Sequence, residues 1–263
     1  PLIGVPLALL IVLPWFIAIL SIAGSEFLSA SVGHDLLGKV AAGQEGHGAP
    51  PGTHLALLFA MFFPGIALAI VAVPWVWRNR RQAAVRFCLA WIIPCWLVFE
   101  AVVTKLPHYT LPTYPAIAAL AAAAAVAGFV AVPALRAVAA IVAAIVAIGL
   151  PAVGVAALHH FEGVTSVAGI GAVLLAVLLA AIAGRALLRG EMLDGAGVLV
   201  AAAIAAYVYV FSTAIPALDA FRLSPRLAEA VARVADCKRP QVISAGYEEP
   251  SLIFAVGTSI RFG

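Results

Sequence analysis

The chain has 263 residues, 65% of them hydrophobic and 10% charged, against about 45–50% and 25% for a soluble domain. Those proportions exclude an ordinary water-soluble fold, and a formal charge of only +3 gives no basis for nucleic-acid binding. Several apolar runs reach the ~20 residues that cross a ~30 Å hydrocarbon layer as a helix, so the sequence reads as an all-α polytopic membrane bundle of about seven spans.

The first span runs from Leu2 to about Ala23, with Pro6 and Pro14 tolerable because neighbouring helices satisfy the freed carbonyls. No basic segment precedes it, which argues against a signal peptide. Residues 24–53 form a polar insert, and the stretch from Gly33 to His54 gathers His34, Asp35, Lys39, Glu45, His47 and His54 between apolar runs. Within the insert Leu28, Val32, Leu36 and Val40 recur every four positions. That spacing predicts a short helix lying along the membrane surface, with Asp35 facing Lys39.

The second span, Leu55 to Trp77, ends in a very short loop crowded with Arg78, Arg80, Arg81 and Arg86. The third covers Phe87 to about Thr104 and leads into the tight turn KLPHYTLPTYP. The fourth, about Pro112 to Val132, is rich in alanine, as close helix packing requires. Three further spans follow: Ala137–Leu158, Val167–Ala183 and Gly197–Leu218. The inward loops would carry Arg78, Arg80, Arg81, Arg86, Arg136, Arg185 and Arg189, the outward ones only Lys39 and Lys105. By the positive-inside rule the insert and the KLPHY turn then share the extracytoplasmic face.

After Asp219 the hydropathy falls. Ser224 and Pro225 open a predicted helix with Leu227, Val231 and Val234 as its apolar stripe. QVISAG reads as a strand, YEEP as a turn and SLIFAVG as a second helix or strand. The expected organisation is a transmembrane domain over 1–218 and the start of a small extracytoplasmic α/β domain over 219–263. The chain begins at Pro1 inside a span and stops at Gly263 inside a folded segment, so it reads as a fragment.

His34, Glu45 and His47 form a candidate ligand set for a divalent metal, although their spacing is not that of a zinc motif, and a solvated glycine-rich loop is the plain alternative. Lys39 is placed to reach a lipid phosphate at headgroup depth; an ordinary snorkelling lysine fits it as well. Glu100, near the outer end of the third span, is costly enough to suggest function, with neutralisation by Lys105 as its structural explanation. Tyr109 and Tyr114 suit the interface as anchors, and His108 lies between the prolines of the turn. Cys88, Cys95 and Cys237 lack metal-type spacing and take no role. No nucleophile elbow, phosphate-cradling glycine loop or paired-carboxylate signature is present.

GHDLLGKVAAGQEGHGAPPGTHLALLF followed by FEAVVTKLPHYTLPTYPAIAAL resembles the lipid-linked sugar transferases of the glycosyltransferase 39 type, which include bacterial enzymes adding aminoarabinose to lipid A. GYEEPSLIFAVGT is similar to the start of that family's C-terminal periplasmic domain. The resemblance implies a GT-C fold in the bacterial inner membrane, a polyprenyl-phosphate sugar donor, and a lipid or glycan acceptor at the outer face. It matches the family's basic donor-phosphate contact to Lys39, its turn to Lys105, Pro107 and Tyr109, and its histidine-rich loop to His34 and His47; the expected donor-phosphate contacts are Lys39, Lys105, Tyr109 and His108. The family's catalytic carboxylate lies in an earlier outer loop, so the general base is expected upstream of Pro1 and no residue here is assigned as catalytic. Where family members follow the HxAP segment with aromatics, this chain has Pro51-Gly52-Thr53, a departure that bears on the acceptor. A transporter or flippase, and a noncatalytic assembly subunit, are the competing readings; transporters place polar groups nearer the midplane.

Overall fold

The computed structural model describes residues 3–29, 31, 48–235 and 240–263. The architecture is all-α and polytopic. Among the described residues six helical segments are long and apolar enough to cross a membrane, or seven if one bent pair counts as a single span. Contacts divide the chain into two compact units, one of residues 1–143 and 186–196, the other of 144–185 and 197–263.

The first unit opens with α1 (Gly4–Leu28), none of whose residues is buried; Gly24 steps out of helical dihedrals close to the expected end of the first span. The second expected span, Leu55 to Trp77, is not one helix. It divides into α2 (Thr53–Met61) and α3 (Ile66–Asn79), bent by 120°. The sequence at the break is Phe62-Phe63-Pro64-Gly65. Pro64 has no N–H to donate and disfavours a helical residue before it, so an unbroken apolar run changes direction there. A Cβ at Gly65 would come within 2.9 Å of the Phe62 ring, so any larger residue there would have to displace that ring.

α4 (Ala83–Ala101) follows, then a 3-10 helix over Pro107–Thr113 that leads directly into α5 (Tyr114–Val126). α3 and α5 make the most extensive helix pairing of this unit. Ala72 meets Ala121 and Ala124 there, flanked by Leu68, Ala69, Trp75 and Val76. Small side chains let two backbones approach where lipid provides no hydrophobic drive for association. α5 ends in a Schellman motif: Gly128, at φ +67°, donates to the Ala125 carbonyl and Phe129 to that of Ala124.

Long helices α6 (Pro133–Glu162), α7 (Val167–Arg189) and α8 (Met192–Tyr209) follow. α8 continues through a π-turn at Val210–Ala214 to Ile215–Ala217. In the second unit Leu158, Tyr209, Ala214 and Leu218 form a buried apolar cluster. The Tyr209 ring fills a notch over Gly154 and Gly169, where a Cβ on Gly169 would lie 2.3 Å from the tyrosine oxygen.

Beyond the last span, α9 (Leu223–Val234) packs against α10 (Pro250–Val256). β1 (Ile243–Ser244) pairs in parallel with β2 (Arg261–Phe262), Ile243 opposite Arg261. Ser224 is buried and shares hydrogen bonds with the Tyr247 hydroxyl at 2.9 Å and the Ser251 hydroxyl at 2.7 Å, tying α9 to the start of α10. The helix falls where Ser224-Pro225 indicated and a two-residue strand lies within QVISAG; the chain bends at Ala245-Gly246, before YEEP, whose Pro250 already opens the helix that contains SLIFAV.

Candidate functional site

The end of the insert meets the KLPHY turn through backbone pairing. Gly48 bridges Thr104 in antiparallel fashion, and the Ala49 N–H donates to the Val103 carbonyl at 3.3 Å. The chain turns at Pro50-Pro51-Gly52, with Gly52 at φ +93°, and enters α2. The first N–H groups of a helix lack intrahelical partners and favour negative charge. Here Glu100, from the last turn of α4, supplies it. Its Oε2 accepts the Gly52 N–H at 2.8 Å and its Oε1 the Leu55 N–H at 3.2 Å. A carboxylate that looks exceptional in an apolar span is thus a cap supplied from a neighbouring helix.

His54, in the first turn of α2, is fully buried. Its Nε2 lies 3.1 Å from the Leu106 carbonyl; a carbonyl only accepts, so Nε2 carries the hydrogen. Nδ1 has no hydrogen-bond partner and faces Glu100 Oε2 at 3.8 Å. The imidazole lies beside the rings of Phe99 and Tyr109, with centroids 6.5 and 6.4 Å away, and those two rings are 5.1 Å apart. His54 therefore ties the insert to the turn from below, while Glu100 ties it to α4.

Lys105 completes this junction differently from the sequence expectation. Its ammonium donates to the backbone carbonyls of Phe99 at 3.1 Å, Glu100 at 2.9 Å and Val102. The side chain is buried. An ammonium has three N–H bonds, and all three close the C-terminal end of α4, where carbonyls are unpaired and the helix dipole favours a cation. Lys105 is adjacent to Glu100, yet it meets that residue's main-chain oxygen and not its carboxylate. In this arrangement it has no N–H left for a phosphate.

His108 is exposed and Tyr109 half-buried, their rings 5.2 Å apart on the rim of the turn. Tyr114, expected at the interface, is instead buried with its ring 5.2 Å from Phe62. Thr110 and Thr113 are buried beneath, the Thr113 hydroxyl donating to the Thr110 carbonyl at 2.7 Å. Lys39, His34, Glu45 and His47 lie outside the described residues. Among the described residues no three His, Cys, Asp or Glu side chains are grouped to hold a metal ion.

The structure thus brings together Lys105, His108 and Tyr109 of the expected donor contacts, and adds Glu100 and His54 as the residues fixing their positions. The cost of Glu100 was visible in the sequence. Its partners were not, because they are main-chain N–H groups 45 and 48 residues away.

No protein-family model matches the chain, and no solved structure matches it. Among curated proteins, it is 31% identical over 110 residues to undecaprenyl phosphate-alpha-4-amino-4-deoxy-L-arabinose arabinosyl transferase 1 of Pseudomonas fluorescens strain Pf-5. It is 29% identical over 112 residues to transferase 2 of the same name from P. fluorescens strain Pf0-1. Each match covers 42% of this chain and 20% of the relative's own length.

Proposed function

We propose that this chain is part of an integral membrane glycosyltransferase that moves a sugar from a polyprenyl-phosphate donor to an acceptor at the outer face of a bacterial inner membrane. The similarity to the two arabinosyl transferases carries this reading, and the apolar helices agree with it. The acceptor is a lipid A-like glycolipid, another glycan or a protein. Residues 219–263 are taken as the start of a periplasmic domain.

The reaction is attack by an acceptor hydroxyl or phosphate oxygen on the anomeric carbon, a hydroxyl's proton passing to a general base, with the C–O bond to the polyprenyl phosphate breaking and its electron pair leaving on phosphate. Negative charge grows on that phosphate, so preorganised cations and donors at the rim accelerate the step. Lys39, together with His108 and Tyr109 on the exposed side of the turn, supplies those groups in this proposal. Glu100, His54 and Lys105 act as positioning residues that hold the turn against the insert. A divalent cation bound by His34, Glu45 and His47 is part of the proposal; chelation by EDTA then lowers transfer, and undiminished transfer removes the metal.

The experiment is to place the full-length protein in proteoliposomes with an undecaprenyl phosphate-linked aminoarabinose and lipid A, and to follow acceptor mass. The expected result is an acceptor heavier by one sugar, with Lys39→Ala cutting the rate at least tenfold while the protein inserts normally. Unmodified acceptor with wild-type protein would overturn the function, and an unchanged Lys39→Ala rate would remove Lys39 from the site.

One observation favours a transporter: the 120° break between α2 and α3, since discontinuous helices build many transporter sites. The α2 N-terminus, however, is already occupied by Glu100, which leaves it no vacancy for an anionic cargo.

A further inference from the structure

A cleft of about 400 Å³ lies between α3, α4 and α5, and no residue of the KLPHY turn lines it. Every side chain lining it is apolar except Arg80. The wall from α3 is a single helical face, Ala69, Ala72, Val73, Val76 and Trp77, ending in Arg80. From Ala69 to Arg80 the helix rises about 16 Å at ~1.5 Å per residue, roughly half of the ~30 Å hydrocarbon thickness. Val73 and Trp77 are 62% and 67% exposed, so the cleft opens sideways where lipid would be.

The arginine at its end is held in place. The guanidinium lies 4.3 Å from the centre of the Trp77 ring and donates from Nη1 to the Trp77 carbonyl at 2.5 Å. Four of its five N–H donors stay available. Arg78 lies over the Phe129 ring, and Arg81 and Arg86 follow in the same short segment. Among the described residues none of these four arginines pairs with a carboxylate. A slot one leaflet deep, apolar along its length and cationic at its end, is complementary to one acyl chain and the phosphate of a bilayer lipid.

We propose that this cleft binds an anionic phospholipid, one acyl chain lying along α3 and the phosphate held by Arg80. The site is separate from the sugar-transfer reading and stands without it. Occupancy would brace α3 against α4 and α5, the pair that flanks the 3-10 turn.

Native mass spectrometry of the detergent-purified full-length protein tests this with phosphatidylglycerol, phosphatidylcholine of the same chains, and undecaprenyl phosphate. Wild-type protein should retain phosphatidylglycerol about fivefold better than phosphatidylcholine, the factor one interfacial arginine contributes. Arg80→Gln should retain the two equally. Val73→Trp, which fills the mouth of the cleft from an exposed position, should retain less of both. Equal retention by the wild type, preference surviving in Arg80→Gln, unaltered retention by Val73→Trp, or stronger retention of undecaprenyl phosphate than of phosphatidylglycerol would each overturn the proposal.

Discussion

Replacing Lys105 with methionine keeps the length and apolar stem of the side chain and removes the ammonium. Three carbonyls at the end of α4, those of Phe99, Glu100 and Val102, then lose their donor. An unsatisfied buried acceptor costs about 1–3 kcal/mol, and loss of a cation at a helix C-terminus about 0.3–1 kcal/mol. Removing the desolvation of a buried ammonium offsets part of this, so the net loss should be about 2–4 kcal/mol. At roughly 2–4 °C per kcal/mol for a chain of this size, the unfolding midpoint should fall by roughly 4–16 °C. Tryptophan fluorescence of the full-length protein in detergent, heated at one fixed rate, reads the midpoint, with sugar transfer measured below it. A Lys105→Met protein that melts with the wild type yet loses transfer would refute the capping account and return Lys105 to the donor phosphate.

Other substitutions probe the same physics. Glu100→Ala removes the carboxylate from the start of α2 and should cost about 1–2 kcal/mol, as other lost N-terminal caps do, with amide exchange faster at Gly52 and Leu55. Gly169→Ala places a methyl 2.3 Å from the Tyr209 oxygen and 2.4 Å from Val155 Cγ2, and such overpacking costs about 1–3 kcal/mol. Adding Tyr209→Phe to that variant should recover part of the loss, since the buried Tyr209 hydroxyl has no hydrogen-bond partner to give up; the test is a double-mutant cycle on the unfolding midpoint. Arg222→Gln should leave the unfolding midpoint where it is in the wild type, because its ion pair with Asp219 is exposed to solvent.

Much of the fold was legible because apolar runs and their punctuation report it directly. The long spans fall within a few residues of where hydropathy put them, and Gly128 and Gly190 close α5 and α7 as glycine at positive φ commonly does. The exception is the run from Leu55 to Trp77. Hydropathy is insensitive to direction, so the break at Pro64-Gly65 disappeared into an unbroken apolar stretch, although proline beside glycine is a turn signal. The site was legible in composition and obscure in its connections. Glu100 and Lys105 stand out as charges in an apolar chain, but both are satisfied by main-chain groups, and main-chain groups carry no mark in a sequence. His54 was one histidine of a polar stretch until the Leu106 carbonyl and the Phe99 and Tyr109 rings gathered around it.

The most direct test follows the polyprenyl phosphate itself, which every acceptor in the proposal would release. Full-length protein in sealed vesicles, given donor labelled in both lipid and sugar, should yield free undecaprenyl phosphate in step with glycosylated acceptor. Labelled donor that crosses to the opposite leaflet with its sugar still attached, and no free polyprenyl phosphate, would contradict the account and identify a flippase.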